Sequence, residues 1–172
     1  MAYFSEYRFC MTKAAKFVLS RMDRSILNVV QQNNQFTHAQ IGERVNLSPS
    51  SVRRHLLALR TAGIIRADVS LVDPSLRGLS FLVQVWCHSV DRQKDAAFRK
   101  AMENDPHVSQ CYSVSGEYDY MLMAHSSSPE EFETWAEYRL MDQAAVSRYK
   151  STLVWSQIKH DHLIDFTDAD RG

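Results

Sequence analysis

Apolar side chains recur at helical spacing in the first third of the chain. Ser48 can accept a hydrogen bond from an unpaired backbone N–H, and Pro49 fits a first helical turn because its missing donor would be unpaired there. One apolar stripe follows at i, i+4 and i+7, formed by Val52, Leu56 and Leu59. The pattern predicts a helix that begins at Pro49, ends near Gly63 and buries this stripe.

Two shorter helices are predicted before it. Residues 22–32 would bury Ile26, Leu27 and Val30, and residues 38–45 follow Thr37, a suitable N-cap. Asn46 and Leu47 leave room for a tight turn only, which is the spacing of a helix-turn-helix. Residues 64–71 read as extended, and are expected to form a wing or a linking strand.

The face of the third helix opposite its apolar stripe carries small and basic side chains at its N-terminal end. Ser50, Arg54, Leu57 and Thr61 point away from the stripe, with Ser51 and Arg53 on its flanks. Such a helix is shaped to enter the major groove of DNA, although an amphipathic helix with a solvated basic face has the same pattern. The candidate DNA-binding residues are Thr37, Ser48, Pro49, Ser50, Ser51, Arg53, Arg54, His55 and Arg60.

The second half alternates between strand and helix patterns in the order β-α-β-β-α-β. The predicted elements are strands at 79–88, 109–115, 120–125 and 146–158, and helices at 91–104 and from Pro129 onward. Ser128 and Glu131 read as a capping box. The inward positions would be Phe81, Val83, Val85, Cys87, Ala97, Phe98, Ala101, Met102, Phe132, Trp135, Ala136 and Leu140. This order predicts a ferredoxin-like βαββαβ domain.

The fold class is therefore α+β, a winged helix-turn-helix domain followed by a ferredoxin-like domain. A ferredoxin-like sheet has helices on one face only, so its other face needs cover. Leu82, Trp86, Tyr112 and Val154 are expected on that face, and a second copy of the chain is the simplest cover.

Charge divides the chain at the same point. Residues 1–78 hold 11 Lys and Arg against 5 Asp and Glu, and residues 79–172 hold 9 against 15. A basic first half suits a polyanion such as double-stranded DNA. The expected organisation is an N-terminal extension at 1–20, with at least 1–10 poorly ordered, a DNA-binding domain at 21–70, a linker at 71–78, a second domain at 79–159 and a C-terminal tail at 160–172.

The sequence contains few other residues that could form a disulfide, a membrane span, a metal site or a catalytic site. Three cysteines without C-x-x-C spacing predict a reducing, cytoplasmic setting and no disulfide framework. No apolar run reaches membrane-spanning length, so no membrane association is expected. His160 and His162 form an H-x-H pair without a third ligand, and no catalytic residue, metal site or cofactor is predicted.

Four segments resemble the Lrp/AsnC family, the leucine-responsive and asparagine-responsive transcription factors. They are residues 23–27 (DRSIL), 47–49 (LSP), 59–65 (LRTAGII) and 114–120 (VSGEYDY), the last matching the family's V-x-G-x-[YF]-D-[YF] hairpin. The resemblance covers about residues 19–159. Departures are Asn46 for a usual Gly, His55 for a common Arg, Arg60 for a usual Glu, residues 141–146 for Leu-Pro-Gly-Val, and Ser151 for a Thr. The changes at His55 and Arg60 indicate a divergent operator.

The resemblance implies a one-component sensor. Its second domain would dimerise, dimers would assemble further, with an octamer among the expected forms, and an amino acid or related metabolite would bind between dimers. The effector residues carried over are Gly116, Glu117, Tyr118 and Asp119, with Ser151 nearby. A glycine turn exposes N–H groups to a carboxylate, and Asp119 could pair with an ammonium, although Asp119 could equally only order the hairpin.

Two other classes of function remain open on the residues alone. One is an enzyme or small-molecule binder built on the second domain, which would need a pocket with a base and a nucleophile. The other is an architectural DNA-coating protein whose second domain only oligomerises.

Overall fold

The computed structural model describes residues 17–70, 72–73, 76, 78–88, 91–159 and 163–166. Most of the predicted N-terminal extension, half of the predicted linker and the His160/His162 pair lie outside these residues. The described residues form two compact units, one of residues 17–70 with 163–166 and one of residues 72–159. Within them, no helix is long and apolar enough to cross a membrane.

Three helices make the first unit: α1 (Arg21–Gln32), α2 (His38–Val45) and α3 (Pro49–Thr61). Each begins at a hydroxyl N-cap, because Ser20, Thr37 and Ser48 accept a hydrogen bond from the third residue of their helix. The predicted stripes meet in the core, with Ile26, Leu27, Ile41, Val52, Leu56 and Leu59 buried. The helix-turn-helix prediction is confirmed.

The turn between α2 and α3 depends on close backbone packing. Asn46 takes the left-handed conformation at φ 55°, and Leu47 donates its N–H to the Gly42 carbonyl at 2.9 Å. A Cβ at Gly42 would lie 2.3 Å from the carbonyl oxygen of Leu47. Position 42 therefore accepts only glycine without a shift of the turn.

The strand expected over residues 64–71 is not formed in its described part. Ile64 and Ile65 are bends and residues 66–70 have no regular structure, so the described part of the first unit contains no strand. Ile64 and Ile65 instead pack on the three-helix core. Their apolar pattern came from contact with helices rather than from pairing in a sheet.

A short C-terminal segment returns to the first unit. Gln31 on α1 donates from Nε2 to the Ile164 carbonyl at 3.0 Å and accepts from the Ile164 N–H at 2.9 Å. Asn28 accepts from the Phe166 N–H at 3.2 Å, and the Phe166 ring packs on the core. Residues 163–166 are thus part of the first unit, not of a separate tail.

The second unit is the predicted ferredoxin-like domain. Its elements are β1 (Leu79–Cys87), α4 (Arg92–Glu103), β2 (Val108–Ser113), β3 (Tyr120–Ser126), α5 (Pro129–Ala136), a π-helical turn (Glu137–Met141) and β4 (Val146–Leu153). The strands form one antiparallel sheet in the order β2-β3-β1-β4. Inward residues of the strands and helices make one core, including Phe81, Val83, Val85, Phe98, Met102, Leu122, Phe132, Trp135 and Leu140.

Three details differ from the sequence prediction. Ala97 is exposed, and β4 ends at Leu153 rather than continuing to residue 158. Ser128 caps α5, but Glu131 does not close a capping box with it. The Glu131 carboxylate instead accepts from the Ser127 hydroxyl at 2.6 Å and the Ser127 N–H at 2.7 Å, and these bonds lower its pKa to about 2.

The sheet face without helices carries large apolar side chains, as predicted. Leu82 and Trp86 on β1 lie on this face, and Tyr112 and Met121 pair across β2 and β3. Tyr112 remains 54% exposed. Beyond β4, Trp155 and Ile158 are 91% and 96% exposed. So much exposed apolar surface marks a site of association.

Candidate DNA-binding and effector sites

The exposed face of α3 is the candidate DNA-binding surface. Ser50, Arg53, Arg54 and Leu57 are exposed on it, whereas the Val52 side of the helix is buried. Within the described part of the chain, no hydrogen bond or ion pair engages the guanidinium of Arg53 or Arg54. Both cations are therefore available to phosphates or base edges.

The hydroxyl groups at the start of α3 form a small network. The Ser48 hydroxyl accepts from the Ser51 N–H at 3.2 Å and lies 3.0 Å from the hydroxyls of both Ser50 and Ser51. Thr37 caps α2 through the Gln40 N–H at 3.2 Å. Ser48 and Thr37 thus hold helix ends in place, while Pro49 and Ser50 are exposed beside them.

Two predicted DNA contacts have partners inside the unit. Arg60 is paired with Asp68, with its Nη2 3.0 Å from the carboxylate. The His55 side chain is only 23% exposed, and its Nδ1 lies 2.7 Å from the Oδ1 of Asp23 on α1. On α3, the arginines without a partner among the described residues are therefore Arg53 and Arg54.

The candidate effector hairpin, residues 114–119, is hydrogen-bonded to the C-terminal end of β1. Asp119 donates its N–H to the Val85 carbonyl at 2.9 Å, and its carboxylate accepts from the Cys87 N–H at 2.7 Å. Val114 donates to the Asp119 carbonyl at 3.1 Å. Asp119 therefore orders the hairpin, one of the two roles that the sequence left open.

Open backbone donors lie at the tip of this hairpin. Gly116 has a φ of 155°, and a Cβ there would meet no atom within 4 Å, so backbone conformation alone makes this position favour glycine. Among the residues that the structure describes, none accepts a hydrogen bond from the N–H of Gly116, Glu117 or Tyr118. The Glu117 side chain is exposed beside them.

On the sheet face without helices, Tyr118 of the hairpin contacts Trp86, and Trp86 in turn contacts Arg148. The Tyr118 ring meets Trp86 edge to face at 5.8 Å, and the Arg148 guanidinium lies 4.0 Å above the Trp86 ring. Sequence reasoning missed Arg148, because its contact depends on the pairing of β4 with β1. It missed Gly42 as well, although a glycine inside a short predicted helix was an available signal.

Ser151 lies apart from the hairpin in a single chain. Ser151 is on β4 and pairs with Val83 on one side of β1, whereas Asp119 of the hairpin bonds to Val85 and Cys87 on the β3 side of β1. No hydrogen bond joins Ser151 to residues 114–119 in the described ranges.

Two depressions in the second unit lie elsewhere. One of about 400 Å³ lies between α4 and β2, and one of about 490 Å³ lies beside Asp105, Trp135 and Arg139. Neither is lined by a predicted effector residue. No group of three or more potential metal ligands occurs among the described residues.

Comparisons with known proteins agree with both units. Residues 19–66 match a model of winged helix-turn-helix DNA-binding domains, and residues 80–164 match the Lrp/AsnC ligand binding domain. An uncharacterized HTH-type transcriptional regulator of Haemophilus influenzae is 31% identical over 90% of this chain and 88% of its own. The leucine-responsive regulatory protein of Salmonella typhimurium is 26% identical over 84% of this chain and 85% of its own.

Solved structures show the same architecture. A transcriptional regulator from Neisseria meningitidis, determined in complex with L-Met, has a TM-score of 0.78 at 31% identity and covers 84% of this chain and 95% of its own. Escherichia coli AsnC, at 15% identity, has a TM-score of 0.75 and supports the fold alone.

A helix-turn-helix unit with a free basic recognition helix, joined to a ligand-binding unit, defines a DNA-binding transcriptional regulator. The chain belongs to the Lrp/AsnC family of such regulators.

Proposed function

We propose that the chain senses an amino acid at the 114–119 hairpin and changes its operator binding or assembly in response. The observation that carries the proposal is the set of open N–H groups at Gly116, Glu117 and Tyr118, next to an exposed carboxylate. The N–H groups would donate to the ligand carboxylate, and Glu117 would accept from its ammonium. A relative at 31% identity binds L-Met, which makes L-Met the first ligand to test.

Assembly is part of the same proposal. The open sheet face would pair with that of a second copy, and dimers would then assemble into a higher oligomer such as an octamer. Because Ser151 does not reach the hairpin within one chain, any contact of Ser151 with the effector would come across a subunit interface.

The experiment measures ligand binding and operator affinity together. Thermal melting of the full chain with each of the twenty amino acids, beginning with L-Met, should show a rise with the effector, since a ligand that binds only the folded state stabilises it. The same ligand should change operator affinity in gel shifts by about 5- to 150-fold, the usual range for coupling between two sites.

Two substitutions locate the site. Glu117→Gln should weaken effector binding and leave the melting temperature of the unliganded protein unchanged. The control is Glu133→Gln on the exposed side of α5, which should change neither effector binding nor that melting temperature. Asp119→Ala should also abolish the response, but by releasing the hairpin from Cys87. If no amino acid binds below millimolar concentration, or if Glu117→Gln responds like the wild type, the hairpin is not the effector site.

A further inference from the structure

The sheet of the second unit has two edges that differ in charge. In the order β2-β3-β1-β4 the edge strands are β2 and β4, and within the described residues no further strand pairs with either. β4 carries Arg148 and Lys150 in its middle, and both are exposed. β2 reads VSQCYS, with no charged residue and no proline. Because charges and prolines are what usually protect a strand edge, β2 is the edge that is open to another strand.

Irregular pairing protects only the start of β2. Its register with β3 shifts between Val108 and Gln110, and the pairing is regular from Gln110 to Ser113. Alternate residues of an edge strand direct their N–H and C=O groups outward in the plane of the sheet. An added strand would therefore find regular backbone partners along residues 110–113.

The surface beside this edge is complementary to itself. The depression of about 400 Å³ between α4 and β2 is lined by Arg99 and Glu103, which lie one helical turn apart and have opposite charges. Arg99 uses its Nε in bonds to Tyr120 and Asp95, and its terminal nitrogens and the Glu103 carboxylate have no partner among the described residues. A two-fold axis through the β2 edge would run the two α4 helices antiparallel, so that Arg99 of each copy faces Glu103 of the other.

We propose that β2 pairs antiparallel with β2 of a second copy across a two-fold axis, which joins the two sheets edge to edge. The inference rests on the assembly proposed above and names a second interface for it. An edge contact leaves the open sheet face free, so one chain can make both contacts at once. Two different two-fold contacts on each chain close rings with an even number of chains, of which an octamer is one.

Cys111 reports on this contact because it lies in the regular part of β2. Opposed residues of paired strands share a sheet face, and strands rise by about 3.4 Å per residue at a separation of about 4.8 Å. In registers centred at residue 110, 111 or 112 the two Cys111 Cα atoms are therefore within about 9 Å of each other. Cys111 lines the depression on the α4 side of the sheet, so a contact through the open sheet face would leave the two thiols on opposite outer sides.

The first experiment cross-links the full chain through Cys111. With Cys10→Ser and Cys87→Ala, Cys111 is the one remaining thiol, and a bis-maleimide whose span matches the expected separation should join most chains into pairs. The matched control carries Cys111→Ser and Ala144→Cys, which places an exposed thiol on the turn before β4 and should give only background. If Cys111 cross-links no better than the Ala144→Cys control, the pairing of β2 with β2 is wrong.

The second experiment adds a protecting charge to the edge. Ser113→Lys, made in the same Cys111 background, brings two lysines to one contact and should lower the cross-linked fraction about fivefold. Ala144→Lys adds the same charge elsewhere and should leave that fraction unchanged. Undiminished cross-linking in a Ser113→Lys protein with an unchanged melting temperature would overturn the proposal, and if that variant does not fold, the comparison with Ala144→Cys decides it.

These measurements separate the edge contact from the rest of the proposed function. Neither uses an amino acid or DNA, so a failure of effector binding at the hairpin would not alter them. If the open sheet face does not dimerise, the Cys111 cross-link should still form, and sedimentation velocity should then show dimers and no larger species.

Discussion

At the scale of the residue, three basic side chains of one helix have different surroundings. Arg54 is exposed with no partner in the described part of the chain, whereas Arg60 is paired with Asp68 and His55 with Asp23. Arg54→Ala should therefore cost about 1–3 kcal/mol of operator binding and relax sequence preference, as loss of a base-reading cation does. Fluorescence anisotropy with the operator and with a scrambled duplex measures both effects.

Arg60→Ala is the matched control, a cation removed from the same helix. Because Asp68 already neutralises Arg60, its loss should weaken operator and scrambled duplex alike and by less than Arg54→Ala. Equal losses for the two variants would mean that α3 does not read bases through Arg54.

At the scale of the element, the C-terminal segment is held by side chains of α1. Removing residues 160–172 should lower the free energy of unfolding of the first unit by about 1–3 kcal/mol, because the bonds from Gln31 and Asn28 and the packing of Phe166 are lost. Urea denaturation measures this loss. Gln31→Ala should reproduce part of it in the full chain and have no effect in the shortened one, and the neighbouring Gln32→Ala should be neutral in both.

Local signals explain why most elements were predictable. Caps at Thr37, Ser48 and Ser128 depend on residues within three positions, and the stripe of Val52, Leu56 and Leu59 depends on helical periodicity alone. These gave the helix-turn-helix, the β-α-β-β-α-β order and the buried faces. The family resemblance added the regulatory class.

The features that were missed depend on partners distant in sequence. Gln31 and Ile164 are 133 positions apart, and Asp119 meets Cys87 only after β1 and β3 have paired. The strand expected at residues 64–71 is absent from the described residues 64–70, because apolar residues such as Ile64 and Ile65 give the same pattern on a helical core as in a strand. At the DNA site, α3 was predictable, but the buried partner of His55 was not.

At the scale of the whole molecule, the exposed apolar residues of the second unit predict a dimer. Trp155→Ala should weaken dimerisation by about thirtyfold, equivalent to about 2 kcal/mol for an interface aromatic. Sedimentation velocity over roughly 0.1 to 50 micromolar would measure it, because that range spans more than a thirtyfold change in a micromolar dissociation constant. Tyr138→Ala is the control, because Tyr138 is also an exposed aromatic but lies on the π-helical turn. Equal effects of the two changes would exclude a specific role of Trp155.

The return of residues 163–166 to α1 makes the second unit an insertion within the first, so both ends of the second unit must stay covalently joined to it. The chain leaves the first unit after Ser70 and comes back to it after Lys159, so the two units are joined by two stretches of polypeptide rather than one. A protease that cuts the peptide bond after Arg77 would produce two fragments. The larger one would still carry residues 163–166, but a contribution of about 1–3 kcal/mol corresponds to a dissociation constant above about 1 mM, so the two fragments would separate on dilution.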